Sequence, residues 1–252
     1  VEHMYLARSR AQIGQPEASK NEWQRALEAT NGDVGKLMTL AEYAEKNGAS
    51  AVAASAYTQA TAPAPNLRAA WQGRLRVAYA AKETKRIHEI LAQMLQLWPN
   101  DTAIQNDEAY TRLLLLPGGT GAVPSSSGAD AGRSENNLDA TAGVPPTSAS
   151  AQLIAIEKLA KALVEREPSS LPHRTLLALA LLKQNRAVAA LQVYDGIQVA
   201  PNALTPSGLA VHAAVLSANG NRDAARTEIQ QVPIERLLPE EQSGTANLRD
   251  SP

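Results

Sequence analysis

Apolar residues recur along this chain at helical spacing, and turn residues interrupt them at regular intervals. Leu37, Leu40, Ala41 and Ala44 fall at i, i+3, i+4 and i+7 and form one stripe along a helix. Gly48 follows, at a point where positive φ costs glycine little. Ala53, Tyr57 and Ala60 then share one face of a second helix. Small residues let the two helices close together, and the aromatic fills the gap beyond them. Proline ends the unit at Pro65, because it cannot continue a helix.

The same unit recurs. Gly14 and Gly48 are 34 residues apart, as are Trp23 and Tyr57, Ala26 and Ala60, Ala44 and Ala78, and Pro65 and Pro99. Leu91 takes the aromatic slot after Tyr57. Farther on, a leucine-rich segment leads to a turn at Asn185, then Ala190, Leu191 and Tyr194 before Pro201. Leu209, Ala213 and Leu216 lead to a turn at Gly220, then Ala225 and Ile229 before Pro233. A fixed period of this length marks a repeat architecture, in which each helix pair needs its neighbours to bury its apolar face.

The pattern resembles the tetratricopeptide repeat family. The likeness rests on the period, on Trp71 early in a first helix, on Gly14 and Gly48, on Trp23 and Tyr57, on Ala26 and Ala60, and on Pro65 and Pro99. Departures are Lys82 at a turn-glycine position, Ile87 at a small-residue position and Ser19 at another. The resemblance implies an all-α, right-handed α-solenoid of about six helix-turn-helix repeats.

One stretch breaks the pattern. After Leu113 to Leu116, the chain runs from Pro117 to Ser150 through Gly, Ser, Ala, Thr and Pro with almost no apolar periodicity. That composition predicts a disordered loop. The helix before it looks like a first helix lacking its second, and Leu153, Ile156, Leu159 and Leu163 after it mark a second helix lacking its first. Joining them gives one repeat interrupted by the loop. Lengthening a turn from about four to about thirty-four residues costs roughly 2 kcal/mol. Burying each apolar side chain returns roughly 1.5–3 kcal/mol. The resulting division is 1–116 for repeats 1–3 and the first helix of repeat 4, and 117–150 for the insertion. Residues 151–242 then carry the second helix of repeat 4, repeats 5 and 6 and a capping helix, and 243–252 form a tail. The competing division is two separate solenoids on a tether, which leaves a half repeat exposed at each break.

Composition narrows the chemistry. Alanine-rich and without phenylalanine, the chain favours close-packed helices. There is no cysteine, so disulfides, thiolate metal sites and a cysteine nucleophile are excluded. The net charge of −1 favours neither nucleic acid nor an anionic membrane. No apolar run reaches the length of a membrane span. The four histidines, His3, His88, His173 and His212, have no metal-ligand spacing and suit surface or packing roles. Pro117 to Gly121 is glycine-rich but lacks the lysine and the preceding strand of a phosphate loop. The reading is therefore a non-enzyme without cofactor or metal. Val1 already stands in helical pattern, which reads as a fragment or a processed chain. The compartment, cytoplasmic or periplasmic, is left open.

In the family that the pattern resembles, first helices line a concave groove that holds a protein segment. Register then places Met4, Tyr5 and Arg8 in the groove from the first repeat, and Met38, Thr39 and Glu42 from the second. The third supplies Gln72, Arg76 and Tyr79, and the fourth Asn106, Asp107 and Tyr110. Methionine suits an adaptable contact, and Arg and Tyr are common anchors. One subtype of the family binds acidic C-terminal tails through lysines and asparagines. Tyr5, Thr39, Gly73 and Asp107 stand at those positions here, so that clamp is missing. The implied function is a protein-interaction scaffold for a protein or peptide partner. One alternative is an RNA-binding helical repeat using Arg68, Arg74, Arg76, Lys82, Lys85 and Arg86 with Trp71 and Tyr79. Another is an accessory repeat region of a larger secretion or assembly protein.

The interrupted-repeat reading has a direct test. Deleting Gly118 to Ser148 and closing with a short turn should leave a helical chain that unfolds cooperatively by circular dichroism. Two independent unfolding transitions in the intact chain would refute it.

Overall fold

The computed structural model describes residues 1–116, 148–197 and 203–249, and among them every regular element is helical. The low-complexity stretch lies outside the described residues up to residue 147, and so does its expected disorder. The helices are α1 (Glu2–Gln12), α2 (Pro16–Glu28), α3 (Val34–Lys46), α4 (Ser50–Thr61), α5 (Arg68–Ala80), α6 (Thr84–Leu97) and α7 (Thr102–Leu115). They continue with α8 (Ser148–Arg166), α9 (Leu171–Lys183), α10 (Ala187–Gln192), α11 (Pro206–Ala218), α12 (Arg222–Ile229) and α13 (Pro239–Arg249). Two compact units are present, Val1–Thr111 and Arg112–Pro252.

Each helix pair turns on one residue in the left-handed region. These are Gly14 (φ 75°), Gly48 (φ 75°), Lys82 (φ 56°), Asn185 (φ 59°) and Gly220 (φ 86°). The following residue donates its N–H to the carbonyl five residues back. Gln15 reaches Arg10 at 2.9 Å, Ala49 reaches Ala44 at 2.9 Å, and Glu83 reaches Ala78 at 3.1 Å. Arg186 reaches Leu181 at 3.0 Å, and Asn221 reaches Leu216 at 2.9 Å. This is the Schellman closure, which satisfies helix-end carbonyls and reverses the chain. Lys82 and Asn185 adopt it without being glycine, so the turn geometry is the same in all five pairs.

In the N-terminal unit, α1 packs on α2, α3 on α4 and α5 on α6. First helices also stack on first helices, α1 on α3 and α3 on α5, and α2 stacks on α4. Leu37, Leu40, Ala41, Ala44, Ala53, Ala56, Tyr57 and Ala60 are buried at the centre. The expected departures fit this core. Ser19 is buried and its hydroxyl donates to the Ala7 carbonyl at 2.7 Å, while Ile87 and Leu91 are buried apolar fillers. The closest approach lies at Gly73, where an added Cβ would stand 2.4 Å from the Tyr57 ring. Trp71 is buried, and its indole N–H donates to the Pro65 carbonyl at 2.8 Å.

The C-terminal unit centres on α9, which packs against α8, α10 and α11. His173 and the run Thr175 to Leu181 are buried. Helix α10 is shorter than its pattern predicts and passes into a turn after Gln192. The Arg174 guanidinium captures the Val193 carbonyl at that point and the Pro168 carbonyl at 2.7 Å. Tyr194 still reaches the interior and meets the His212 ring edge-on, with centroids 4.7 Å apart. Glu157 on α8 is buried, and it pairs with Lys161 at 2.7 Å and Arg186 at 2.9 Å. Burial pushes its carboxyl up, but hydrogen bonds from Lys161, Gln184 and Arg186 outweigh this and hold it at about 2.

Two boundaries differ from the sequence reading. Helix α8 begins at Ser148, inside the stretch assigned to the insertion. The supposed tail from residue 243 is helical to Arg249, because α13 is fixed by polar contacts that hydrophobic periodicity does not reveal. Glu241 accepts the Leu238 N–H at 2.7 Å, and buried Thr245 donates to the Glu241 carbonyl at 3.0 Å. Helix α13 then packs on α11 and α12 and acts as the cap.

The glycines differ in what they require. Gly73→Ala should cost about 2 kcal/mol or more by overpacking against Tyr57. Gly48→Ala should cost about 1 kcal/mol from backbone strain alone. Lys82→Gly should stabilise by about 0.5 kcal/mol, since relief of the left-handed residue outweighs the entropy that glycine adds to the unfolded chain. Urea unfolding followed by circular dichroism measures all three.

Candidate functional site

The first helices of the N-terminal unit carry the positions singled out by register, and the structure divides them. Tyr5 is 59% exposed and Tyr79 42% exposed. Arg8, Thr39, Glu42, Gln72, Arg76 and Asp107 are exposed, Met38 and Tyr110 are half-buried, and Met4 is buried. Asn106, expected on the open face, is buried, and its amide donates to Asp107 at 3.1 Å. It lies at the register position of Met4, which is also buried. Polarity in the sequence therefore misplaced Asn106.

Tyr5 does not project alone. Its ring meets Tyr43 on the neighbouring first helix at 5.5 Å, edge-on, and Tyr43 in turn meets Trp23 at 6.0 Å. Edge-on aromatic pairs of this kind hold ring orientation and add roughly 0.5–1.5 kcal/mol beyond burial. Tyr5 is thus presented on a packed support. Sequence reasoning did not single out Tyr43. The signal that could have found it is an aromatic one residue past the register position of Glu42.

Arg76 is committed to the protein itself. Its Nε and Nη2 each reach a Glu45 carboxylate oxygen at 3.0 Å, and Nη2 also reaches the Tyr57 hydroxyl at 3.0 Å. The Tyr57 hydroxyl donates to Glu45 at 2.7 Å. Arg76 hydrogen bonding lowers the Glu45 carboxyl against the opposing effect of burial, with help from Tyr57. Burial first, and then Glu45, push the Tyr57 hydroxyl up to about 12. Glu45 was also missed. Arg76 and Glu45 are 31 residues apart, one repeat less one helical turn, which makes them neighbours on stacked first helices.

Three other arginines of the 68–86 segment are similarly engaged. Arg68 pairs with Asp101 at 2.5 Å and Arg86 with Glu83 at 3.2 Å. Arg74 lies over Trp71 at 4.4 Å, with contacts to Thr61 and Gln93 at 3.4 Å. Trp71 is buried and cannot stack on a base. An RNA footprint needs uncommitted cations beside exposed rings, whereas Arg68, Arg76 and Arg86 are committed to carboxylates and the Trp71 ring is buried.

The histidines lie against glutamates. His3 meets Glu22 at 2.6 Å, His88 meets Glu108 at 3.6 Å, His173 meets Glu167 at 4.0 Å and His212 meets Glu228 at 2.7 Å. The His3 hydrogen bond, with Arg25 and Arg10, outweighs burial and holds the Glu22 carboxyl below the ordinary range. Three of the four pairs join helices that pack side by side or follow one another, so they tie the scaffold. The leucines of α9 belong mainly to the interior. Leu176 and Leu179 are buried and Leu182 is half-buried. Among the described residues, no helix is long and apolar enough to cross a membrane.

No protein-family model matches the chain, and no curated protein does. Solved structures similar to it include that of Pseudomonas aeruginosa pilF, at 16% identity and a TM-score of 0.44. The match covers 98% of this chain and 96% of that one. A tetratricopeptide repeat protein from Parabacteroides merdae is similar at 10% identity and a TM-score of 0.45, covering 98% of this chain and 97% of that one.

Arg76→Ala should cost about 1 kcal/mol of unfolding free energy at neutral pH and low salt, a modest value because the pair is largely solvent-screened. The Glu45 carboxyl is depressed, so its contribution is present above the ordinary glutamate range and lost as pH falls through its folded value. The difference between variant and parent should therefore shrink in acid and in high salt. A cost indifferent to both would mean that Arg76 acts by packing alone.

Proposed function

We propose that this chain is a non-catalytic protein-interaction scaffold of the tetratricopeptide kind, binding a protein or peptide along the first helices of its N-terminal unit. The observation that carries this reading is the placement of Tyr5 and Tyr79. They are the exposed aromatics of that unit among the described residues, and both stand on first helices at groove positions set by the repeat. Tyrosine buries a large area on contact at little entropic cost and is a frequent interface anchor. Arg8, Thr39, Glu42 and Gln72 supply exposed polar groups around them, and Met38 an adaptable apolar one. Rigid helices hold all of these, which presents them preorganised to a partner. The balance of Arg8 and Glu42 suits a partner segment of mixed polarity with apolar anchors better than an acidic tail.

A photo-crosslinking residue at position 5 or 79 should capture the partner in extracts of the producing cells. The same group at Lys20 or Glu89, exposed on second helices, should not. Tyr5→Ala combined with Tyr79→Ala should weaken capture by at least about tenfold while the helical spectrum stays unchanged. Equal capture from first-helix and second-helix positions would overturn the proposal.

A further inference from the structure

The chain contains three Asn-Gly pairs, at Asn31–Gly32, Asn47–Gly48 and Asn219–Gly220. Asparagine followed by glycine is chemically labile, because glycine leaves its amide nitrogen open to attack the preceding side chain. The three pairs are equivalent in sequence but not in structure.

At Asn47 the side-chain amide donates to the Tyr43 carbonyl at 2.7 Å, and the Gly48 N–H donates to Glu45 at 3.2 Å. At Asn219 the amide donates to the Val215 carbonyl at 2.8 Å and to Ala187 at 2.9 Å, and the Gly220 N–H donates to Ser217 at 3.0 Å. In both, the leaving amide and the attacking nitrogen are tied down within a helix-ending turn. Asn31 and Gly32 form the turn between α2 and α3. Both are exposed, with φ of 48° and 75°. Among the described residues the Asn31 side-chain amide and the Gly32 N–H make no hydrogen bond, while the Asn31 backbone N–H donates to Glu28 at 3.2 Å. Nothing stands within 4 Å of the place where a Gly32 Cβ would be.

We infer that Asn31 is a site of spontaneous deamidation in the folded protein, and that the repeat turns protect the other two asparagines. The Gly32 backbone nitrogen attacks the Asn31 side-chain carbonyl carbon. The new C–N bond forms as the bond to the side-chain nitrogen breaks, and that nitrogen leaves as ammonia with the Gly32 amide proton. Water then opens the succinimide at either carbonyl and gives aspartate or isoaspartate. No oxidant or reductant is needed. The aspartate product places a carboxylate two residues before Asp33, which caps α3 by accepting the Lys36 N–H at 2.8 Å, so the added charge stands near a helix N-terminus that tolerates it. The isoaspartate product lengthens the backbone by one methylene in the turn that joins the first repeat to the second.

The full-length chain, incubated in mildly alkaline buffer, is tested by peptide mapping with mass detection of the amide-to-acid change. In the folded chain, conversion at Asn31 should outpace Asn47 and Asn219 by at least about tenfold, because the hydrogen bonds that hold the amide and the glycine N–H at each of those sites must open first. In urea the three rates should converge. Asn31→Gln should remove the fast component and leave the other two rates unchanged. Asn47 or Asn219 converting as fast as Asn31 in the folded chain would overturn the inference, as would one rate order in both buffer and urea.

Discussion

Each complete helix pair in this protein depends on a single backbone residue at positive φ, closed by a hydrogen bond from the next residue to a carbonyl five positions back. That closure sets the reversal of the chain, and the reversal decides which side chains meet. With the turn at Gly48 fixed, Ala41 and Ala44 face Ala53 and Ala56, and no side chain larger than alanine separates the two backbones at those positions. Tyr57 then extends past the alanines to the next first helix, where Gly73 is the residue that leaves room for its ring. The turn, the small residues and the missing Cβ at Gly73 thus form one chain of dependence. The same turn accepts Asn185, whose side chain tolerates the left-handed region, and also Lys82, a residue type that does not favour it and is held there by the surrounding packing.

Charge is used mainly to join one helix to another. Arg76 and Glu45 bridge two first helices through Tyr57, and Arg68 reaches Asp101 near the start of α7. Arg186 and Lys161 converge on Glu157. A count of basic residues over 68–86 suggests a cationic patch, whereas Arg68 and Arg76 are paired with carboxylates supplied from about one repeat away, and Arg86 with nearby Glu83. In a repeat protein, local charge composition therefore overstates what is available to a ligand, because the neutralising residue lies outside the window being read.

The period, the turn residues and the small-residue positions were legible because each answers to backbone geometry that repeats. Gly14, Gly48 and Gly220 lie at turns for the reason glycine is common there, and Lys82 and Asn185 could be placed by spacing alone. The limits came from features without period. Helix α13 lacks a strong apolar stripe and depends on the Glu241 cap and buried Thr245, so its part from residue 243 onward read as tail. The end of α10 is set by Arg174, a contact 19 residues away in sequence. Within the candidate surface, Tyr5 and Tyr79 were legible from register, whereas the burial of Asn106 and the support from Tyr43 depend on side-chain packing that register does not specify.

The two units use the same helix-pair grammar with different surfaces. In the N-terminal unit, first helices bury one stripe and leave tyrosine, arginine and glutamate outside. In the C-terminal unit, the first helices α9 and α11 are buried over most of their length, through Thr175 to Leu181 and through Gly208 to Ala213. Among its described residues the exposed large apolar ones, Leu115, Ile154, Val188 and Ile234, are aliphatic and stand on four different elements. Scattered single aliphatics of this kind are ordinary surface. A first helix that is apolar around most of its circumference cannot also offer a polar groove face. The repeat pattern alone would assign groove positions to all first helices equally. Burial leaves the N-terminal unit as the one whose first helices carry exposed aromatics among the described residues, with Tyr5, packed on Tyr43, and Tyr79 on helices that stack α1 on α3 and α3 on α5.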